Sequence, residues 1–355
     1  MLIPKERTDN ERSAEIKFDA LKTFLTPGAL SNKQSRDIAI KLYREIESTE
    51  HGQSLIRNYK SQETLSSLSI KPTKIDCIFC LEILAASDEK TRFGVLDDWA
   101  THKFGEKPNS LWYANNNPSF QKLEEIYAYT VLGGADTMQK IRELKSSAGI
   151  TRFLRYPPEV LQDTLSFLRG EMKNETVSAC FYSKNDHNYS FGNNFNDFRN
   201  AHAEGYKFVA FEWSTPEEFL VVAGNFKDAS QANNSNFEAI FIAGHGNLEG
   251  IGWQGQDKAK TLDVGDKEIF NSLKTTFAGI YFKKLFIFAC NAREVENDPN
   301  FISISETLAS LGLADTAYAS KYSIISHFHH NLAQGLVGTY EIASSGRTGR
   351  MEAIQ

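Results

Sequence analysis

The chain has 355 residues, of which 41% are apolar and 24% are charged, a balance typical of a globular protein with room for about two domains. Its formal net charge of −6 and pI near 5.8 create no overall field that would attract nucleic-acid phosphates, so we expect no nucleic-acid partner. Four cysteines are too few for a disulfide framework in so long a chain, which favours a reducing compartment and leaves thiol chemistry available.

The N-terminus is charged from Lys5 onward and lacks the apolar run of a secretory signal. No stretch approaches the ~18 to 20 consecutive apolar residues of a membrane span. We therefore expect a soluble protein that is cytoplasmic or is exported without a signal peptide. A bacterial effector delivered into a host cell would fit the second case.

Residues 1–170 are predicted to form a mainly helical N-terminal domain, because apolar residues recur there with helical spacing. The predicted helices are Ala14–Phe24, Ser35–Ile46, Ile75–Ala86, Phe120–Leu132, Thr137–Lys145 and Glu159–Leu168. This domain shows no catalytic pattern. It could serve in targeting or in binding a partner protein.

From about residue 171 to residue 355, short apolar runs alternate with helical segments, which predicts an α/β domain with a mostly parallel sheet flanked by helices. The predicted strands are Thr176–Tyr182, Tyr206–Glu212, Ala239–Ala243 and Leu285–Ala289, with further candidates at Ala317–Ile325 and Leu336–Glu341. The predicted helices are Phe195–Ala203, Pro216–Val222, Lys267–Phe277 and Ser303–Leu311. Strands as apolar as AIFIA and LFIFA are typical of a parallel sheet that is buried on both faces.

Two of these strands lead into reactive residues. The segment FIAGHGN contains His245, and the segment LFIFACNA contains Cys290. In open α/β sheets, ligands bind beyond the carboxyl ends of the strands, so both side chains would reach one crevice if the strands are neighbours. The 45 positions between them leave room for the crossover helix that a parallel connection requires.

These two blocks, with His-Gly after one apolar run and Cys after the next, resemble the caspase-like cysteine peptidases of clan CD. That group includes caspases, legumains, clostripain, gingipains and the cysteine protease domains of large bacterial toxins. The resemblance covers roughly residues 171–345 and implies a caspase-like fold in which His245 and Cys290 are catalytic and Gly246 helps to form the oxyanion hole. The chain lacks the Gln-Ala-Cys-Arg-Gly segment of caspases, so their substrate preference is not implied.

The residue types suit peptide hydrolysis. A cysteine attacks as the thiolate, and a neighbouring imidazole can favour that form or protonate the departing amine. Backbone N–H groups must then stabilise the oxyanion, and those of Gly246 and Cys290 are the candidates. The sequence thus predicts an endopeptidase with a His245/Cys290 dyad, a protein or peptide substrate, and no cofactor or metal.

Three alternatives remain open at this stage. The dyad could serve an isopeptidase acting on ubiquitin-like modifiers, or an acyltransferase. The domain could instead be a non-catalytic interaction module that keeps the fold. Cysteine is also among the most commonly buried residues, so Cys290 could be a structural residue at a strand end.

Several other motifs are interpreted structurally. Gly250–Gly255 satisfies G-x-G-x-x-G but does not lead into an apolar helix, so we expect a loop beside the cleft rather than a dinucleotide site. Cys77 and Cys80 share a face of an apolar helix and are expected to pack. The histidines at positions 327, 329 and 330 form an incomplete metal site.

Two groups of charged residues could tune the predicted activity. A local group of lysines could hold a regulatory polyanion, although a solvated surface explains it more simply. Its members are Lys258, Lys260, Lys267, Lys274, Lys283 and Lys284. An acidic group in the substrate pocket would favour cleavage after basic residues. The candidates for that group are Glu249, Asp257, Glu294 and Glu296.

Overall fold

The structure, a computed structural model, describes residues 8–62, 71–105, 108, 117–185, 194–247, 249–252, 261–290, 302–320, 324–331, 335–342 and 347–354. The chain divides into two compact units. The first comprises residues 1–109 and 117–141, and the second comprises residues 110–116 and 142–355. Among the described residues, no helix combines the length and the apolar character needed to cross a membrane.

The first unit is helical, as the sequence predicts. Its helices are α1 (Asp9–Lys22), α2 (Lys33–Glu47), α3 (Glu50–Lys60), α4 (Lys74–Ala85), α5 (Glu89–Phe104) and α6 (Pro118–Leu132), and α7 (Thr137–Ser147) follows them in the chain. Each of α1 to α6 begins after a Thr, Asn or Asp whose side chain accepts a hydrogen bond from a backbone N–H of the first turn. These caps satisfy donors that have no partner within the helix.

Helix α4 is the centre of this unit, and its residues from Ile75 to Ala85 are all buried. A helix with apolar residues all round can be buried on every side, because no face needs water. Its two acidic side chains are paired inside the core. Asp76 accepts hydrogen bonds from Trp99 and Lys103 at 2.9 and 2.6 Å, and Glu82 lies 2.6 Å from the ammonium of Lys60. Burial raises the pKa of Glu82, although the Lys60 ammonium opposes that rise.

The second unit is built on a six-stranded sheet. Its strands are β1 (Thr176–Ser183), β2 (Lys207–Trp213), β3 (Asn236–Ala243), β6 (Phe282–Phe288), β7 (Ala314–Ala319) and β11 (Glu352–Ala353). The order across the sheet is β2-β1-β3-β6-β7-β11. The first five strands are parallel, and the two-residue strand β11 pairs antiparallel with β7.

Helices cover both faces of this sheet. They are α8 (Pro158–Leu168), α9 (Phe195–Ala203), α10 (Pro216–Asn233), α11 (Lys267–Thr276) and α12 (Ile304–Ala309). Successive strand residues point to opposite faces. Accordingly, Phe181 contacts Phe226 of α10 at a ring separation of 5.6 Å, whereas its neighbour Tyr182 contacts Phe198 of α9 at 6.2 Å.

Two small antiparallel sheets complete the unit. Strands β4 (Gly250–Ile251) and β5 (Leu262–Asp263) pair with each other between β3 and α11 in the chain. Strands β8 (Ile324–Asn331), β9 (Gly335–Ile342) and β10 (Arg347–Arg350) form a three-stranded sheet in the order β10-β9-β8. The candidate strand Ala317–Ile325 is therefore wrong as one element, because β7 ends at Ala319 and β8 begins at Ile324 in a different sheet.

The sheet unit begins at Arg142, whereas the composition of the sequence changes near residue 171. Residues 142–170, which lie between these two positions, cover the outer side of the edge strand β2. The Thr164 hydroxyl accepts from the Ala210 N–H at 2.9 Å, and the Ala148 carbonyl accepts from the Glu212 N–H at 2.8 Å. Both N–H groups lie on the side of β2 that no strand covers. Residues 142–170 therefore protect an edge that would otherwise be free to pair with another chain.

A buried carboxylate fastens this segment to β2. Glu212 accepts hydrogen bonds from the backbone N–H groups of Thr151 and Arg152 at 2.8 and 3.1 Å. It also accepts from the guanidinium of Arg155 at 2.9 Å and from the hydroxyl of Tyr156 at 3.1 Å. The side chains of Glu212 and Arg155 are both fully buried, so each compensates the desolvation of the other.

We expect Arg155→Ala to lower the free energy of unfolding by about 3–5 kcal/mol, because it leaves the Glu212 carboxylate buried without its cation. The matched control is Arg169→Ala. Arg169 pairs with Glu143 at 2.7 Å in the same unit, but its side chain is 28% exposed, so we expect a loss of about 1 kcal/mol or less. Chemical denaturation measures both values. Equal losses in the two variants would contradict a special contribution of the buried pair.

Candidate active site

The strands that precede His245 and Cys290 are hydrogen-bonded neighbours. Strand β3 pairs parallel with β6, and Ala243 lies opposite Phe288 at the carboxyl end of the pair. His245 and Cys290 each follow two positions after these paired residues. The Gly244 N–H continues the contact by donating to the Phe288 carbonyl at 3.1 Å. Both predicted catalytic residues therefore leave the sheet at the same edge, from adjacent strands.

The segment that carries His245 folds back at once into a tight hairpin. The Gly252 N–H donates to the His245 carbonyl at 2.6 Å, and the Asn247 N–H donates to the Gly250 carbonyl at 3.0 Å. The Asn247 side chain accepts from the backbone N–H groups of Glu249 and Gly250 and thus closes the turn. Because β4 also pairs with β5, the hairpin is fastened on both sides.

The hairpin determines the direction of the Gly246 backbone. Gly246 and Ile251 face each other as a bridge whose two hydrogen bonds are made by the flanking residues. In such a pair the two facing residues direct their own N–H and C=O groups away from each other. Gly246 therefore directs its N–H group away from Ile251.

Close packing leaves no space for a side chain at position 246. A Cβ atom built on Gly246 would lie 2.6 Å from the Gly250 carbonyl oxygen and 2.9 Å from the Ala289 Cβ. Ala289 immediately precedes Cys290, so the two predicted site segments are in direct contact. Gly246 thus has a packing role beside its predicted catalytic one.

Cys290 differs from the other cysteines in its exposure. It is partly exposed, whereas Cys77, Cys80 and Cys180 are all buried. Burial raises the pKa of Cys77 to about 12, and it raises the pKa values of Cys80 and Cys180 well above the ordinary thiol value. A thiol reacts as the thiolate, so these three are inert at neutral pH. Cys77 and Cys80 lie on helix α4 and are buried in the first unit, which agrees with the packing role expected from the sequence.

The remaining motifs are placed as follows. Gly250–Ile251 is strand β4 rather than part of a loop, and residues 253–255 of the glycine motif lie outside the described residues. The three histidines lie on β8, where His327 pairs with Thr339 and His329 with Val337. Across the described part of the chain, no group of three His, Cys, Asp or Glu side chains is arranged to hold a metal ion.

The two groups of charged residues are only partly described. Of the four acidic specificity candidates, Glu249 lies exposed in the turn of the hairpin, and Asp257, Glu294 and Glu296 lie outside the described residues. Lys267 and Lys274 lie on α11, and Lys283 and Lys284 lie on β6, where Lys283 pairs with Glu238 at 2.5 Å. Lys258 and Lys260 lie outside the described residues.

A cavity of about 530 Å³ opens beside helices α11 and α12. It is lined by Val264, Lys267, Phe270, Asn271, Ile302, Thr307 and Ser310. The volume is within the range of small-molecule sites. None of these lining residues is a predicted catalytic residue, so the cavity is separate from the residues of the predicted dyad.

Ser183 and Asn185, at the carboxyl end of β1, were not predicted from the sequence as part of the site. Ser183 is the last residue of the strand, and its hydroxyl accepts from the Asn185 N–H at 3.1 Å. The Asn185 side chain donates to the carbonyls of Ser214 and Gly252, at 2.9 and 3.2 Å. The only signal in the sequence is that two polar residues follow an apolar strand. That signal does not reveal that the strand lies next to β3.

Comparison of the chain with models of known protein families returns no match, and comparison with curated proteins returns none either. The parallel pairing of β3 with β6, which leads to His245 and Cys290, is the structural feature that bears most directly on the chemistry of the site.

We expect only Cys290 to react rapidly with iodoacetamide in the folded protein at neutral pH, because the other three thiols are buried and protonated. Unfolding in denaturant should expose all four. Mass spectrometry of the labelled peptides distinguishes the four positions. Rapid modification of Cys180 in the folded state would contradict the packing described for β1.

We expect Gly246→Ala to lower the free energy of unfolding by about 1–3 kcal/mol, because its Cβ forces the hairpin away from Ala289. Gly224→Ala is the matched control. Gly224 lies within α10 with open space where its Cβ would be, so the added methyl should stabilise the helix by up to ~1 kcal/mol. Denaturation curves measure both changes. A neutral Gly246→Ala would show that the hairpin is looser than its distances indicate.

Proposed function

We propose that the sheet unit is a cysteine endopeptidase that uses Cys290 as nucleophile and His245 as general acid and base. The observation that carries this proposal is the parallel pairing of β3 with β6, which delivers both residues to one edge of the sheet. A crevice at the carboxyl ends of parallel strands is where α/β proteins bind their ligands. Adjacent strands ending in His and Cys are also what the resemblance to caspase-like peptidases implies.

The reaction would proceed in two stages. The Cys290 thiolate attacks the carbonyl carbon of the scissile peptide bond, and a C–S bond forms as the carbonyl oxygen becomes an oxyanion. Protonated His245 donates its proton to the amine nitrogen, the C–N bond breaks, and the amine product leaves an acyl-enzyme. Water then loses a proton to His245 and attacks the thioester, which releases the acid product and regenerates the thiol.

Two features of the site support this chemistry. Partial exposure of Cys290 allows a substrate to reach its sulfur, in contrast to the three buried thiols. The backbone N–H groups of Gly246 and Cys290 would together provide an oxyanion hole. One such donor contributes about 10²- to 10³-fold in rate, so it is comparable in weight to the acid–base residue.

The dyad alone does not fix which bond is cleaved or which acceptor receives the acyl group. An isopeptidase or an acyltransferase would use the same nucleophile and base with a different acyl group or acceptor.

Glu249 lies exposed in the turn of the hairpin, and its carboxylate could attract a basic side chain of the substrate. A peptide library read by mass spectrometry would identify the residue before the cut, and loss of a basic preference in Glu249→Gln would assign it to this carboxylate.

We expect both Cys290→Ala and His245→Ala to reduce cleavage of a peptide library by about 10³-fold or more, because each removes one member of the dyad. The matched control is Cys180→Ala, which removes a buried thiol from neighbouring strand β1 and should keep full activity in the folded protein. Circular dichroism checks folding. Cleavage that survives Cys290→Ala would refute the proposal. Absence of cleavage by the unmodified protein, with labelling of Cys290 that does not depend on His245, would favour a non-catalytic interaction module.

A further inference from the structure

The order of the strands reverses between β1 and β3. In the order β2-β1-β3-β6, the chain passes from β1 to β2 on one side and then returns past β1 to β3 on the other. The last paired residues of β1 and β3 are Tyr182 and Ala243. Such a reversal of strand order is where open α/β sheets commonly bind their ligands. The two strands stay closely packed at their ends, because a Cβ on Gly244 would lie 2.9 Å from the Ser183 Cβ.

One side chain links the segments that follow β1, β2 and β3. Asn185, which is 6% exposed, follows β1 and donates from its amide nitrogen to two backbone carbonyls. The Ser214 carbonyl, just beyond β2, accepts at 2.9 Å, and the Gly252 carbonyl, in the hairpin after β3, accepts at 3.2 Å. A single amide group thus joins the ends of three strands.

The contact with Gly252 leads directly to the predicted base. Gly252 donates its own N–H to the His245 carbonyl at 2.6 Å while its carbonyl accepts from Asn185. Its φ of 88° lies in the left-handed region, which favours glycine at this position. The path from Asn185 to the His245 backbone therefore consists of two hydrogen bonds and one residue in a defined conformation.

We propose that Asn185 is a positioning residue that holds the His245 hairpin against the sheet and so fixes the imidazole relative to Cys290. This inference rests on the proposed function, because its catalytic consequence requires the dyad. Its structural part, the restraint of residues 244–252, does not. Asn185 acts on His245 through the Gly252 backbone.

The surrounding groups favour an amide at this position. Both acceptors are carbonyl oxygens, so the bridging group must donate two hydrogen bonds. Aspartate has nearly the same shape, but an ionised carboxylate only accepts and would be repelled by both carbonyls. Lys184 and Glu218 form an ion pair at the same corner, at 3.3 Å, and Glu218 also accepts from the Ser214 N–H at 2.8 Å. Asn185 adds an uncharged bridge beside this pair.

The experiment compares Asn185→Ala and Asn185→Asp with Asn225→Ala, a matched control. The Asn225 amide also donates to a backbone carbonyl, that of Ser147, at 2.9 Å, but it lies on α10 away from the hairpin. Hydrogen exchange of peptides covering residues 244–252 needs no activity. We expect exchange there to be faster by about tenfold or more in both Asn185 variants and unchanged in Asn225→Ala, because lost hydrogen bonds lower the local opening free energy.

Steady-state kinetics with a cleavable peptide supply the catalytic readout. We expect kcat to fall by about 10- to 100-fold in both Asn185 variants with KM changed by less than about threefold, since misplacement of the base affects the chemical step more than binding. A general loss of stability would instead reduce the active fraction and would appear equally in the thermal midpoint and in the titrated active sites.

The outcomes separate the two proposals. If the unmodified protein cleaves nothing, the proposed function fails, yet the exchange measurement still tests the restraint by Asn185. Unchanged exchange at residues 244–252 in Asn185→Ala overturns the restraint itself. Faster exchange with unchanged kcat overturns the positioning role. An Asn185→Asp variant that behaves like the unmodified protein shows that the two donated hydrogen bonds are not what holds the hairpin.

Discussion

The parallel pairing of β3 with β6 is the constraint on which the rest of the site depends. Both strands lie inside the sheet with neighbours on each side, so their last four residues are buried. Phe241, Phe286 and Phe288 stack on one face with ring separations of 5.0 to 6.3 Å. A side chain within such a strand cannot reach a substrate, so reactive side chains are expected only beyond the strand ends. The carboxyl ends of neighbouring parallel strands lie at the same end of the sheet, and the residues that follow β3 and β6 therefore lie at that end together.

The sheet is open, so its two outer strands need protection from pairing with another chain. On the β2 side the protection comes from residues 142–170, which the composition of the sequence groups with the helical half. Gly149 adopts a φ of 70°, and a Cβ there would lie 2.1 Å from the Glu212 carbonyl oxygen. The chain thus approaches β2 as closely as glycine allows. Helix α8 then follows along the strand, so the sheet depends on chain that precedes its first strand.

The sequence predicts the strands β1, β2, β3 and β6 and the five helices that cover the sheet, whereas it misses two helices of the first unit. The runs before His245 and Cys290 are identified because burial on both faces requires nearly all residues to be apolar. The missed helices are α3 and α5, in which a buried glycine or arginine interrupts the apolar pattern. In α5 the buried residues include Arg92, which is fully buried beside Glu89 at 2.6 Å. A pattern that counts arginine as a surface residue cannot detect such a face. The antiparallel strands β8 to β10 are partly missed for another reason, since their pairing depends on partners elsewhere in the chain.

The same reasoning explains why the two residues of the proposed dyad could be selected from the sequence and the residue that we propose as a support could not. His245 and Cys290 are of reactive types and stand just after recognisable strands, so the sequence is enough to propose them. Asn185 acts on backbone carbonyls that are 29 and 67 positions away in the chain. Every residue carries a carbonyl, so nothing in the sequence identifies these two as its partners. What makes Asn185 informative is the topology: it follows β1, and β1 is the strand beside β3. Under the proposed function, a neutral amide there restrains the hairpin without adding a negative charge to the site, whereas an ionised carboxylate would oppose formation of the Cys290 thiolate. Asparagine therefore suits a proposed site that needs a restrained backbone and no further charge.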